Sequence, residues 1–214
     1  MTTNMLQPWS YKLRGRYRNV VRSGALTGVA AHTTTAGHVC TWRWDDTTVT
    51  GLVGLVRYVG INFQLTTAYA TDQEHGYALY CARGYTAAHT GGTAIDTGGT
   101  ITGTGKRFTN QSASLLTGMR MGTTDAMTAG THTIDANPQG IYTAFAETVG
   151  DTIPHRASGG GYATLWDSRA DGNHLLFDND EGFIISNVIL MGATGVGNLT
   201  VCVEWDEGIL DGRA

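Results

Sequence analysis

The segment VGNLTVCVEWDE, residues 196–207, alternates with period two. Leu199, Val201, Val203 and Trp205 fall on one face, and Thr200, Cys202 and Glu204 fall on the other. Successive side chains of a strand point to opposite faces, so this segment can bury one side and wet the other. Just upstream, GFIISNVILM (182–191) is a second strand candidate rich in β-branched residues. The connection GATGVGN (192–198) carries three glycines and can turn without strain. Together the two segments predict an antiparallel β-hairpin that completes a sheet, and neither holds a reactive constellation.

Working outward, TGLVGLVRYVGINFQLTT (50–67) is the strongest strand signal, with Val53, Leu55, Val59, Ile61, Phe63 and Leu65 read as one face. Arg57 interrupts that face and must reach an edge or a partner. In GHVCTWRW (37–44), Cys40, Trp42 and Trp44 share a side, and GYALYCARGYT (76–86) is a further strand. ATDQEHG (70–76) has room for a single helical turn, and 110–122 for a short helix ending near Gly118. The Gly/Thr-rich stretch 89–108 reads as a long connection or irregular hairpin. Eight to ten strands at a spacing of about 8–12 residues are the pattern of a sandwich or barrel. The expected fold is an all-β, jelly-roll-like antiparallel β-sandwich with an extended N-terminal arm. Its expected organisation is a basic and aromatic arm and linker over 1–36, then a sandwich domain over 37–214.

Composition agrees. The 214 residues are 41% apolar, with 30 Gly and only 3 Pro, so strands joined by turns can still build a core. Charged residues are 15%, below the ~25% of ordinary soluble domains. A sparsely charged surface is common on subunits that neighbours cover. No run approaches the ~18 apolar residues of a membrane span, and no signal-peptide apolar region opens the chain. Cys40, Cys81 and Cys202 each sit in a strand candidate, which favours buried free thiols over a disulfide scaffold.

The net charge of −4 is unevenly placed. Lys12, Arg14, Arg16, Arg18, Arg22 and Arg43 all precede the first acid, Asp45, whereas the rest of the chain carries 8 basic and 18 acidic side chains. A basic start on an acidic body favours contact with an acidic surface, another copy of the chain included. Within QPWSYKLRGRYRN (7–19), an extended arm or a first edge strand, aromatic residues alternate with basic ones. Such a strip can stack bases, but the chain is acidic, with pI ≈ 5.9. Docking onto protein is the more economical reading. Trp9, Tyr11, Lys12, Arg14, Arg16 and Arg18 are therefore the candidate partner contacts, with no nucleic acid or membrane partner expected.

Reactive motifs are not found. In TGGTITGTGKRF (97–108) the glycine that a phosphate-binding loop requires falls on Thr100, and Arg107 follows the lysine. In DSRADGNHLLFD (167–178), Asp167, Asp171, Gly172 and Asp178 match part of a calcium loop, but Arg169 occupies a ligand position. The acids Asp178, Asp180 and Glu181 read as a solvated loop. Asp72, Glu74 and His75 read as a capped turn. The seven histidines, at 32, 38, 75, 89, 132, 155 and 174, show no metal-binding spacing, and no G-x-S-x-G elbow is present. No catalytic, cofactor-binding or metal-binding residue is expected, and no enzyme activity.

From about residue 50 onward the order of segments resembles a family of tailed-bacteriophage virion structural proteins. The resemblance rests on an RYVGI strand (57–61), the aromatic strand after it and the TAGTHTIDANP segment (Thr128–Pro138). It ends on an EGF segment (181–183) followed by VCVEW (201–205). What the resemblance implies is a virion component made in the bacterial cytoplasm, most simply a head decoration (cement) protein. It would bind the major capsid protein and associate with itself, as a homotrimer. The alternatives are a tail or head-fibre subunit with a receptor- or carbohydrate-binding role, built on loops such as 86–107, and a virion-associated polysaccharide-cleaving enzyme using acids such as Asp167 or Asp178.

Overall fold

The computed structural model describes residues 11–45, 51–95, 106–107, 114–116, 118–146, 148–154 and 161–210. Every helix or strand among them is a strand, and fourteen are formed. The first described strands are β1 (Tyr11–Arg22), β2 (His38–Trp44), β3 (Leu52–Thr67) and β4 (Gln73–Ala87). Short elements follow: β5 (Thr93–Ile95), β6 (Lys106–Arg107), β7 (Gly118–Met121) and β8 (Thr131–Ile134). Then come β9 (Gly140–Ala146), β10 (Thr152–Ile153), β11 (Ala163–Asp167) and β12 (Leu175–Phe177). β13 (Glu181–Asn187) and β14 (Val196–Leu210) complete the set.

Two antiparallel sheets pack face to face, so the chain is an all-β sandwich. The first runs β10-β3-β14-β1-β6, with β11 and β12 also on β3; the second runs β5-β7-β2-β13-β4-β8, with β9 also on β4. The four leading strands alternate between sheets: β1 and β3 flank β14, while β2 and β4 flank β13. Between the sheets lie the large aromatics. Trp42 stacks on Phe183 at 5.6 Å, and Tyr17 on Trp205 at 5.7 Å. All four side chains are fully buried, each stabilising the fold by roughly 2–3 kcal/mol through burial.

The hairpin expected over 182–207 is not formed. β13 belongs to the second sheet and β14 to the first, and residues 188–195 cross between them. Each strand has both edges paired by others, which a mutual hairpin would forbid. The crossing is anchored at Asn187, whose side-chain amide donates to the carbonyls of Val29 (3.0 Å), Ala30 (3.1 Å) and Ile189 (2.6 Å).

β14 keeps the expected alternation, with Leu199, Val201, Val203 and Trp205 in the core. β3 does not. Leu52 and Val56 face the core along with Val59, Ile61, Phe63 and Leu65, whereas Val53 and Leu55 pack outside with Leu176. The phase changes at Arg57: Tyr58 lies opposite Glu204 and Val56 opposite Trp205, so Arg57 is an extra residue in the ladder. Such a bulge moves every later side chain to the other face.

The arm expected over residues 1–36 is corrected for its described part. Residues Tyr11–Arg22 are a full strand of the sandwich, paired along its length with β14 and on its other side with β6. The helical turn at 70–76 gives way to the start of β4, which pairs with β9 from Gln73. Of the short helix expected to end near Gly118, residues 110–113 and 117 lie outside the described residues, and Gly118–Met121 forms a strand beside β2. At Gln73–Gly76 an available sheet edge outweighs weak local helix propensity.

Candidate functional site

The basic residues of β1 alternate with its buried ones, and the last strand mirrors them in acids. Arg16 faces Asp206 in register, and Arg18 faces Glu204. The Arg16 guanidinium donates twice to Asp206, from Nε at 2.9 Å and from a terminal nitrogen at 3.3 Å. Asp206 has no solvent exposure and also lies 3.6 Å from Arg57 Nε. Glu204 lies between Arg18 (3.7 Å) and Arg169 (3.9 Å), and the Arg169 guanidinium sits 4.1 Å above the Tyr58 ring. Arg18 also donates to Cys202 Sγ at 3.3 Å.

One step along, Arg14 pairs with Glu207, a carboxylate without solvent exposure. Glu207 additionally accepts from the Ser114 hydroxyl, from the Leu115 amide at 3.0 Å and from Trp205 Nε1 at 3.4 Å. Arg14 also donates to the Tyr17 hydroxyl at 3.0 Å. The acidic surface that Arg14, Arg16 and Arg18 meet is thus the chain's own β14. Tyr11 and Lys12 open β1 opposite Leu210 and Ile209, and Trp9 lies outside the described residues.

The carboxylates of the calcium-like loop do not converge. Asp167 is held by Arg169 at 2.7 and 2.9 Å, and Asp171 accepts from the Asn173 amide at 3.0 Å within its turn. Asp180, at φ +62°, pairs with Arg43 at 2.6 Å. Ser168 and His174 are 2.9 Å apart, but the Ser168 hydroxyl is buried and also contacts the Arg57 carbonyl at 3.2 Å. A hydroxyl directed at backbone closes a turn and is poorly placed as a nucleophile. Of the 97–108 loop, only Lys106 and Arg107 lie among the described residues, as a short strand beside β1. All three cysteines are buried free thiols, and burial pushes Cys40 up to about 12 and Cys81 to about 11.

Sequence spacing missed one group. His38, His89 and His132 come together on the second sheet, on the face turned away from the inter-sheet core, with ligand-type nitrogens all within 4.8 Å of one another. Three local features bring them there. At the start of β2 the register slips between Ile185 and Ser186, so His38 stands opposite Ser186 and leaves the core to Val39 and Cys40. His89 follows β4 in a segment held by the paired Thr90–Thr128 backbone bonds, both 3.1 Å. His132 lies on β8 and shares its face with Ile134, which packs on Ala82, Tyr85 and Ile184.

The contacts are close. His38 Nδ1 is 2.8 Å from His89 Nε2, and His38 Nε2 is 3.1 Å from the Thr33 carbonyl. His132 stacks on His89 at 4.8 Å and on Tyr85 at 4.7 Å. His32 stacks on Tyr80 at 4.1 Å and lies 5.8 Å from His38. His38 is fully buried and His89 nearly so. His89 Nδ1 and the Tyr85 hydroxyl are buried atoms with no hydrogen-bond partner among the described residues, and His132 has only the Gly130 backbone beside one nitrogen. Burial lowers His38 to about 4 and His89 to about 3, and lowers His132 as well. At neutral pH these imidazoles are uncharged and keep a lone pair.

Comparison with known proteins finds no family model and no curated sequence that matches this chain.

Proposed function

We propose that this chain is a structural subunit of a tailed-bacteriophage virion, a head decoration protein that binds the major capsid protein, and that it works without catalysis. The observation that carries the proposal is the nested strand order, in which β1-β14-β3 with β11 and β12 faces β2-β13-β4 with β9. We read this order as that of a jelly roll, a fold used by capsid and lectin domains and by cupins. Because one fold hosts several functions, the choice among them rests on the segments quoted for the phage resemblance, above all Arg57–Ile61 and Thr128–Pro138.

The decoration role needs a surface for neighbours. Arg14, Arg16 and Arg18 have intramolecular partners in Glu207, Asp206 and Glu204, so the interface is better sought elsewhere. β9 carries Ile141 and Phe145 more than half exposed, and Val149 follows equally exposed. Exposed apolar side chains grouped along one strand are what a neighbouring subunit covers. In this reading the copies associate as trimers through the β9 side and seat on the shell.

Quantitative mass spectrometry of purified virions tests it. A copy number comparable to that of the major shell protein is expected. A number tens of times lower would move the chain to the tail or a fibre, and its absence from virions would overturn the proposal.

A further inference from the structure

We infer that His38, His89 and His132 form a binding site for one divalent transition-metal ion, of the zinc class, which ties together three segments far apart in the chain. The inference is independent of the virion reading. Three imidazole nitrogens are the donor set of many open zinc sites, and imidazole suits zinc, copper, nickel and iron better than calcium or magnesium. Nitrogens within 4.8 Å of one another need only small ring movements to share an ion, since ligand bonds near 2.0–2.1 Å place them roughly 3.3 Å apart.

The surroundings favour an ion over a plain histidine cluster. His38 Nε2 can donate to the Thr33 carbonyl, which leaves the Nδ1 lone pair facing His89. A backbone carbonyl that fixes tautomer and ring orientation in this way is the usual outer support of a metal-binding histidine. His89 Nδ1 has no hydrogen-bond partner among the described residues, and His132 has only the Gly130 backbone beside one nitrogen. Buried polar atoms left so are costly and call for an explanation. A metal ion supplies one: it takes a nitrogen lone pair from each ring and ends the direct His38–His89 contact. Tyr85, packed on His132, and Ser186, opposite His38, add two buried hydroxyls beside the group.

The consequence is a clamp. The ion would join the start of β2, the segment after β4 and β8, which the backbone connects only through long excursions. An ion that binds the native state alone stabilises it by mass action.

The test uses the untagged full chain, stripped with chelator and then titrated with Zn²⁺ by calorimetry and with Co²⁺ by absorption spectroscopy. One Zn²⁺ per chain is expected, with Co²⁺ giving the intense bands of a low-coordinate nitrogen site and Zn²⁺ raising Tm by about 5 °C. His132→Gln, at the least buried of the three, should weaken Zn²⁺ binding about 100-fold while its metal-free Tm stays near wild type. His174→Gln, in the turn before β12, should bind like wild type. If Co²⁺ keeps the spectrum of the hydrated ion, or His132→Gln binds Zn²⁺ as tightly as wild type, the site is refuted.

Discussion

Arg16 stands directly opposite Asp206 across the β1–β14 ladder, its guanidinium forked onto a carboxylate that has no contact with water. A two-pronged pair of this kind is stronger than a surface ion pair because geometry and a partly dry setting both favour it. Replacing either partner alone leaves a charge behind. Arg16→Ala is expected to destabilise the fold by about 2 kcal/mol, and Asp206→Ala by about 3 kcal/mol because Arg57 also loses its partner. A double-mutant cycle read by urea unfolding should give a coupling of about 1–2 kcal/mol. Simple additivity would mean that water screens the pair.

Glu207 is the more demanding position. It gathers Arg14, the Ser114 hydroxyl, the Leu115 amide and the Trp205 indole around one buried carboxylate. Glu207→Ala strands several donors at once and should cost about 3–5 kcal/mol. Glu207→Gln keeps the shape and one acceptor oxygen but exchanges the other for an amide donor, and should cost roughly half as much. Equal effects of the two variants in denaturant melts would contradict this account.

His75 gives the fold an acid limit. It is buried between Phe63 at 4.6 Å and Tyr69 at 5.1 Å, with neither nitrogen hydrogen-bonded among the described residues, and burial lowers it from 6.5 to about 4. Between these values the unfolded chain takes up a proton that the native state refuses. Stability from this group is therefore complete above pH 6.5 and is lost as pH falls toward 4, by up to about 3 kcal/mol. His75→Phe should flatten the decline of Tm between pH 6.5 and 4, though His38 and His89 keep part of it. A variant with the wild-type pH profile would show that His75 is not responsible.

Gly140, on β9 of the second sheet, abuts the backbone of β11 in the first. A Cβ there would overlap the Leu165 carbonyl oxygen of β11, which is backbone and cannot swing aside. Gly140→Ala should therefore part β9 from β11 and destabilise by about 2–3 kcal/mol. Faster hydrogen exchange should appear first in β9 and β11, and unchanged protection there would sink the prediction.

Some of this was legible in the sequence. β14 was, because its inner face runs unbroken from Leu199 to Trp205. β3 was legible as a strand but not in its faces, since period two cannot reveal the extra residue at Arg57. The crossing between β13 and β14 was hidden for another reason. A glycine-rich link permits a hairpin or a change of sheet, and the choice is made by edges that β1, β2, β3 and β4 supply from far upstream. The ladder did leave a signal: Arg16 and Arg18 alternate with the same period as Glu204 and Asp206, which is how opposite charges pair across antiparallel strands. The histidine group left none, since 38, 89 and 132 share no short spacing and meet only through a register slip, the segment after β4 and the distant strand β8.

The position of β14 between β1 and β3 also sets a timetable. Arg16 and Asp206 are 190 residues apart in the chain, so at about 5–20 residues per second β1 leaves the ribosome roughly 10–40 s before its main partner exists. β2 and β4 wait in the same way for β13. Until β13 and β14 emerge, each of the four leading strands keeps open the edge that one of them will fill. Folding of this sandwich is therefore largely post-translational, and its yield in a cell depends as much on chaperone occupancy and translation rate as on the stability of the finished molecule.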